Sequence, residues 1–125
     1  MRRKIIYLII IFLAIFAIFI FWPQKGQPKK IADLDQTILY YSQKCPHCLI
    51  VENYIKESKV DEKISFLSKE ISQDQKNLAD LIKKADFCGI AKETLGVPFL
   101  WAKGECYTGD APIINFFNSQ IKDVQ

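Results

Sequence analysis

The sequence predicts an α/β domain, in which about four strands form a mixed sheet flanked by helices, preceded by one apolar N-terminal helix. Three observations lead to this prediction: an uninterrupted apolar run near the N-terminus, strand-like and helix-like patterns in the order β, α, β, α, β, β, α, and a length of 125 residues. Without the apolar run roughly 100 residues remain, which is enough for one hydrophobic core.

Residues 1–22 are predicted to form a transmembrane anchor. Ile5–Trp22 is a run of 18 apolar residues without charge, Gly or Pro. As a helix it would be about 27 Å long, close to the roughly 30 Å hydrocarbon core of a bilayer. A cleaved signal peptide is the main alternative, because Arg2, Arg3 and Lys4 supply the basic start of one. No small residue ends the run as a cleavage site would require, and we therefore expect an uncleaved signal anchor.

Residues 23–34 are predicted to form a flexible tether and residues 35–125 the folded domain. The tether contains the segment PQKGQPKK, which has two Pro, one Gly and no apolar residue. We expect a single-pass membrane protein with an extracytoplasmic domain, because a short basic head before one anchor commonly leaves the C-terminal part outside and four cysteines suit an oxidising compartment. Three basic residues flank the apolar run on each side, so charge alone does not fix the orientation.

The charge of the domain gives no reason to expect a nucleic-acid partner. After Trp22 the chain contains 14 Lys and 14 Asp or Glu, and the formal net charge of +3 comes entirely from the three basic residues before the apolar run. A neutral domain with interspersed charges lacks the basic surface that a polyanion requires.

The first half of the domain is predicted to contain a strand, a helix and a second strand. Thr37–Tyr41 is rich in β-branched and aromatic residues, as strands are. Pro46 suits the first turn of the following helix. Apolar residues then recur at helical spacing at Cys48, Val51 and Ile55. Ile64–Leu67 is the second strand-like segment.

The second half is predicted to contain a helix, a hairpin and a last helix. Apolar residues recur at helical spacing at Leu78, Leu81, Ile82 and Ala85, and again at Ile113, Phe117 and Ile121. Gly89 and Gly96 mark the connection between the first of these helices and the hairpin. Phe99–Trp101 and Cys106–Thr108 are strand-like and separated by four residues, which suits an antiparallel hairpin. The last helix is expected to begin near Asp110.

The segment Cys45-Pro46-His47-Cys48 carries the predicted chemistry. Two thiols three residues apart at the start of a helix can close a disulfide, and the free amides of the helix N-terminus favour a thiolate at Cys45. Cys45 is therefore the expected nucleophile, and Cys48 is the resolving thiol that releases the partner. His47, the only His of the chain, would place positive charge beside the thiolate when protonated.

Two other interpretations of these cysteines stay open. One is a zinc site, in which Cys88 and Cys106 would complete four thiolates. The other is an inert structural disulfide between Cys45 and Cys48. We favour redox chemistry, because structural zinc usually uses two close pairs, whereas Cys88 and Cys106 lie 18 residues apart.

Two segments resemble the signatures of the thioredoxin-fold superfamily. The segment TILYYSQKCPHC, with a strand, a loop and a Cys-x-x-Cys helix start in that order, resembles the active-site entry of that fold. Leu95–Leu100, LGVPFL, resembles the second signature, in which a cis proline opens the third strand. The resemblance covers roughly residues 35–123. The Val-Pro motif and Tyr107–Asp110 are similar to glutaredoxins, whereas the Pro-His pair between the cysteines is similar to periplasmic dithiol oxidases.

The resemblance implies a substrate-binding role for two further residues. It implies that the Val97–Pro98 bond is cis and that Pro98 lies against the Cys45 sulfur. It also implies that the Val97 backbone pairs with an extended substrate segment.

The sequence departs from thioredoxins before the motif. Thioredoxins carry a buried acid in the preceding strand, which accepts the proton of the resolving thiol, but Thr37–Lys44 contains no Asp or Glu. Proton transfer from Cys48 would then require water or Glu52. Lys44 also stands where thioredoxins have a Trp. These departures leave the direction of electron flow open.

Cys88 and Cys106 allow three states. A second disulfide between them would suit an oxidising compartment and a small domain. They would equally serve as buried free thiols, because free Cys packs as a small hydrophobe. A second redox relay is the third possibility.

These features predict a membrane-tethered thiol:disulfide oxidoreductase. Its partners are expected to be protein thiols and disulfides, with a membrane redox protein as a further candidate. No metal and no organic cofactor is expected, because the cysteine pair is itself the redox centre. Two alternatives remain: a glutathione-dependent glutaredoxin, and a non-catalytic module that binds metal through thiolates.

Overall fold

The computed structural model describes residues 1–21 and 35–123, and the chain divides into an N-terminal unit and a folded domain. In the first unit, helix α1 spans Arg2–Phe21. Its large apolar side chains from Ile5 to Ile18 are exposed. Among the described residues, no helix meets the length and apolarity of a membrane span, so the predicted transmembrane helix is not confirmed. The predicted tether, residues 23–34, lies outside the described residues.

The domain is built on a four-stranded sheet in the order β2-β1-β3-β4. The strands are β1 (Thr37–Tyr41), β2 (Leu67–Glu70), β3 (Phe99–Ala102) and β4 (Glu105–Thr108). β2 runs parallel to β1, while β3 is antiparallel to both of its neighbours, β1 and β4. The prediction of a mixed four-stranded sheet is confirmed. Because β4 runs in the same direction as β1, both strands end at the same edge of the sheet.

Helices cover both faces of this sheet. They are α2 (Pro46–Glu57), α3 (Val60–Lys63), α4 (Gln75–Phe87) and α5 (Asp110–Asp123). Alternation along β1 separates the two cores: Leu39 packs with α2, α3 and α5, whereas Ile38 and Tyr40 pack with α4. α2 and α5 therefore lie on one face and begin at the edge where β1 and β4 end.

The second strand lies three residues later than the sequence predicts. Ile64–Leu67 was expected to form it, but Ile64 ends the short helix α3 and its N–H donates to Val60 O at 2.8 Å. The strand begins at Leu67, which pairs with Ile38. The prediction was wrong because β2 is an edge strand whose sequence, LSKE, is half-exposed and lacks an apolar pattern.

A charged cluster fastens α4 to the sheet. Asp80 of α4 accepts hydrogen bonds from the Tyr40 hydroxyl at 2.7 Å and from Lys69 Nζ at 2.6 Å. Lys84 Nζ lies 3.6 Å from the same carboxylate and 5.0 Å from the centre of the Trp101 ring, and only 2% of Lys84 is exposed. Burial acts to raise the pKa of Asp80, but the bonds from Lys69 and Tyr40 and the charge of Lys84 outweigh it, and the pKa lies below 3.8.

A disulfide joins α4 to the last strand. The structure bonds Cys88, which caps the C-terminal end of α4, to Cys106 of β4, with the two Cα atoms 6.3 Å apart. Between these cysteines the chain passes through the Gly89–Gly96 connection and β3. The bond therefore closes a loop that contains the segment leading into Val97 and Pro98.

Candidate active site

The first cysteine of the motif caps helix α2. The turn after β1 brings the Cys45 N–H to Ser42 O at 3.1 Å, and Cys45 has extended backbone angles, as a capping residue does. Pro46 follows in the first turn, where its missing N–H costs nothing. The Cys48 N–H donates to Cys45 Sγ at 3.2 Å. A helix N-terminal amide thus points directly at the sulfur.

The two thiols differ sharply in exposure. Both are free, with Cys45 half-buried and Cys48 1% exposed. Burial, followed by the hydrogen bond with Cys45 and the negative charges of Cys45 and, least of all, Glu52, raises the pKa of the Cys48 thiol to about 12. Cys48 is therefore protonated at neutral pH and shielded from large partners. Only the Cys45 sulfur is placed to meet a disulfide or thiol from outside.

The predicted substrate-binding segment lies beside Cys45. The Val97–Pro98 peptide bond is cis. The Cys45 thiol donates to Val97 O at 3.3 Å, and the Gly109 N–H donates to Pro98 O at 3.0 Å. Gly109 has a φ of +86°, a backbone conformation that favours glycine. The turn between β4 and α5 thus holds the segment that contacts the nucleophile.

His47 contacts a carboxylate of helix α5. Its Nδ1 lies 3.2 Å from Asp110 Oδ2, and the side chains of His47 and Asp110 are 68% and 30% exposed. The hydrogen bond from His47, with a further one from the Ala111 N–H, holds the pKa of Asp110 below 3.8. The positive charge expected beside Cys45 therefore has a negative partner, and this contact between His47 and Asp110 was not predicted from the sequence.

These contacts link the starts of α2 and α5 to the Val97–Pro98 segment. Cys45 reaches Val97, Pro98 accepts from Gly109, and the next residue, Asp110, returns to His47 of α2. The arrangement surrounds a half-exposed thiol with the Val97–Pro98 backbone, an imidazole and a carboxylate. It is suited to holding an extended chain next to a reactive sulfur.

The His47–Asp110 contact makes a testable prediction about titration. The contact lowers the pKa of Asp110 in the folded protein. It therefore stabilises the fold at pH values above the ordinary pKa of an aspartate, and this stabilisation is lost as the pH falls through the lowered pKa of Asp110. In an NMR titration we expect the Asp110 carboxyl to have a midpoint below the ordinary value of an aspartate, and the substitution His47→Ala to raise it. Glu70, whose pKa is lowered chiefly by the Gln73 N–H, is the internal control and should not move. An Asp110 midpoint that His47→Ala leaves unchanged would contradict the contact.

The other candidate residues do not join this site. The sulfurs of Cys88 and Cys106 are bonded to each other, so the four thiolates of a zinc site are not assembled. Within residues 1–21 and 35–123, no group of three or more His, Cys, Asp or Glu is placed to hold a metal ion. Lys44 is exposed, and its N–H donates to Ser42 Oγ at 3.3 Å.

The sequence matches no protein-family model, and no curated protein matches it. Among solved structures, the chain is similar to oxidized glutaredoxin 2 from Chlamydomonas reinhardtii. The sequence identity is 18%, the TM-score is 0.49, and the match covers 72% of this chain and 78% of that chain. A likeness of this extent does not determine a function.

The topology itself defines the fold. A parallel β1-β2 pair is followed by an antiparallel hairpin on the other side of β1, helices cover both faces, and the Cys-x-x-Cys motif starts the helix after β1. This arrangement is a thioredoxin-like α/β fold, and that part of the prediction is confirmed.

Proposed function

We propose that this protein is a thiol:disulfide oxidoreductase in which Cys45 and Cys48 cycle between two thiols and one disulfide. The observation that carries the proposal is the pairing of the half-exposed Cys45 thiol with the buried Cys48 thiol, in which the Cys48 backbone N–H donates a hydrogen bond to Cys45 Sγ. Such a pair exposes one sulfur to partners, while the second is shielded and reacts only after the mixed disulfide has formed. This separation of roles is what disulfide exchange through a mixed disulfide requires.

The chemistry balances in either direction. When the pair acts as a reductant, the Cys45 thiolate attacks one sulfur of a partner disulfide, and the partner's other sulfur leaves as a thiolate. Cys48 then attacks Cys45 Sγ, which closes the Cys45–Cys48 disulfide and releases the second partner thiolate. The partner gains two electrons and the pair loses two. When the pair acts as an oxidant, the same steps run in reverse.

Partner proteins are proposed to bind beside Val97. The Val97 carbonyl accepts a hydrogen bond from the Cys45 thiol, and the carbonyl of the next residue, Pro98, accepts one from the Gly109 N–H. An extended partner segment that pairs with this backbone would bring its sulfur close to Cys45 without contacts to particular side chains. This mode favours unfolded or loop cysteines of proteins as substrates.

Glutathione is a second candidate partner. The turn Thr108–Asp110 borders Pro98 and presents a carboxylate, which suits the ammonium group of a small thiol peptide. Asp110 is already engaged by His47, so glutathione would compete with the imidazole for it. A turnover rate that rises with glutathione and saturates would support this candidate, and turnover indifferent to glutathione would exclude it.

The test of the function is exchange with a protein disulfide. The full chain, with its cysteine pair reduced, should reduce a disulfide-bonded protein and be left with Cys45 and Cys48 joined to each other. Peptide mapping after alkylation identifies the bond. Protein that instead binds zinc with one-to-one stoichiometry and loses its fold on chelation would support the metal-binding alternative.

Membrane tethering is proposed for the N-terminal unit, with the domain on the extracytoplasmic side. The support is the 18-residue apolar run and the exposure of its large side chains from Ile5 to Ile18. In cells that express the full chain, we expect the protein to remain with the membranes after alkaline carbonate washing. A thiol reagent that does not cross membranes should label Cys45 in intact cells. Protein found in the wash would contradict the anchor, and protected Cys45 would contradict the orientation.

A further inference from the structure

The resolving thiol of the proposed cycle lacks an obvious proton acceptor. Cys48 must lose its proton before it attacks Cys45, yet burial holds that proton firmly. The strand that precedes the motif, Thr37–Tyr41, contains no acid. Half-buried Asp80 is engaged by Tyr40 and Lys69 on the α4 face of the sheet, whereas Cys48 belongs to α2 on the opposite face. The proton must therefore leave by another route.

Glu52 lies one helical turn after Cys48 on α2. Residues four apart on a helix are neighbours, with Cβ atoms about 5–6 Å apart. Glu52 is half-buried, unlike the exposed Glu57 at the end of the same helix. Its negative charge is also the smallest of the causes that raise the pKa of Cys48. Strand β1 contains no Asp or Glu that could accept the proton in place of Glu52.

A cleft connects Glu52 with solvent. Its volume is about 310 Å³, and its lining includes Leu39, Tyr41, Glu52 and Ile55 together with the charged residues Lys56 and Asp61. Such a volume has room for water. A proton taken by Glu52 can thus pass to bulk solvent on the side of α2 that faces β2, away from the partner at Val97.

We propose that Glu52 accepts the proton of Cys48 when Cys48 resolves the mixed disulfide. The inference rests on the proposed function. The Cys48 S–H bond breaks and a carboxylic acid forms on Glu52, directly or through one water. The Cys48 thiolate then bonds to Cys45 Sγ and the partner sulfur leaves as a thiolate. Glu52 returns its proton to water in the cleft, so the charge balances.

The substitution Glu52→Gln separates this role from simple charge proximity. A nearby negative charge alone disfavours the Cys48 thiolate, so its removal would speed resolution. Loss of the proton acceptor would slow it instead, by about 100-fold on the scale of general base catalysis. The two explanations therefore predict effects of opposite sign in one variant.

The experiment follows a single turnover of the full chain with a peptide disulfide. Samples are quenched in acid, and the mixed disulfide on Cys45 is quantified by mass. We expect Glu52→Gln to leave the first phase, attack by Cys45, unchanged and to make the mixed disulfide accumulate. Glu52→Asp, which keeps the carboxylate but shortens it by one methylene, should slow resolution by less. Glu57→Gln, the matched exposed control, should change neither phase.

Three outcomes decide the matter. Slow resolution in Glu52→Gln alone supports the proposal. Resolution as fast as in the unsubstituted protein, or faster, overturns it while the oxidoreductase function stands, because mixed disulfide still forms and resolves. If the unsubstituted protein forms no mixed disulfide at all, the proposed function itself is wrong. The first phase also reports that each variant is folded at the site, and Glu52→Asp decides the question if Glu52→Gln does not fold.

Discussion

The substitution Cys45→Ser should abolish disulfide exchange. The Cys45 sulfur is the half-exposed one that the Cys48 N–H and the Val97 carbonyl contact, and a serine hydroxyl is not ionised near neutral pH. Cys48 cannot replace it, because that thiol is buried and burial raises its pKa to about 12. We expect the rate of reduction of a protein disulfide to fall to that of the uncatalysed reaction. The measurement is turnover of the full chain with a chemical reductant in excess.

The variant Cys48→Ser is the matched control for this result. It keeps the nucleophile but lacks the resolving thiol, so we expect a stable mixed disulfide between Cys45 and the partner. This species migrates at the summed mass on a non-reducing gel and disappears on reduction. Exchange that persists in Cys45→Ser, or a partner attached to Cys48, would show that Cys45 is not the nucleophile.

Loss of the Cys88–Cys106 disulfide should destabilise the domain by about 3 kcal/mol. The bond closes a loop with a sequence separation of 18, and a loop of this size restricts the unfolded chain by roughly that free energy. The loop includes β3, the strand that pairs with both β1 and β4. For a domain of this size such a loss is a large part of the total stability.

The test compares unfolding in urea of the protein with and without both cysteines. The double substitution Cys88→Ala and Cys106→Ala avoids leaving one reactive thiol behind. We expect the midpoint to fall with exchange at Cys45 retained, since neither sulfur contacts the Cys45 site. A loss below about 1 kcal/mol would mean that the bond contributes little to folding.

Helix and hairpin positions could be predicted because their apolar patterns are strong. Val51 and Ile55, or Ile113 and Phe117, recur on one face and are buried in the structure. β2 was misplaced because an edge strand half-exposed on both faces needs no apolar alternation. Helix α3 was missed because four residues are too few to show a period.

The centre of the site could be predicted from local sequence, while its surroundings could not. Cys45 caps helix α2 and Cys48 lies in its first turn, so their spacing already places the two thiols together. The partner of His47 is 63 residues away, and it is found only when β1 and β4 are known to end at one edge of the sheet. The sequence signal that could have indicated this contact is Asp110 itself, an acid at the first residue of a helix that follows a strand. Pairing of Cys88 with Cys106 likewise depends on where α4 ends against β4.

The most direct test of the central claim is the redox equilibrium of the Cys45–Cys48 pair in the full chain. The protein is equilibrated with glutathione buffers of graded potential, free thiols are trapped by alkylation, and the two states are counted by mass. The account predicts one two-electron transition in which both cysteines change together, with a midpoint between about −270 mV, typical of a reductase, and about −120 mV, typical of a disulfide donor. Two thiols that react independently, without a disulfide between Cys45 and Cys48 at any potential, would contradict it.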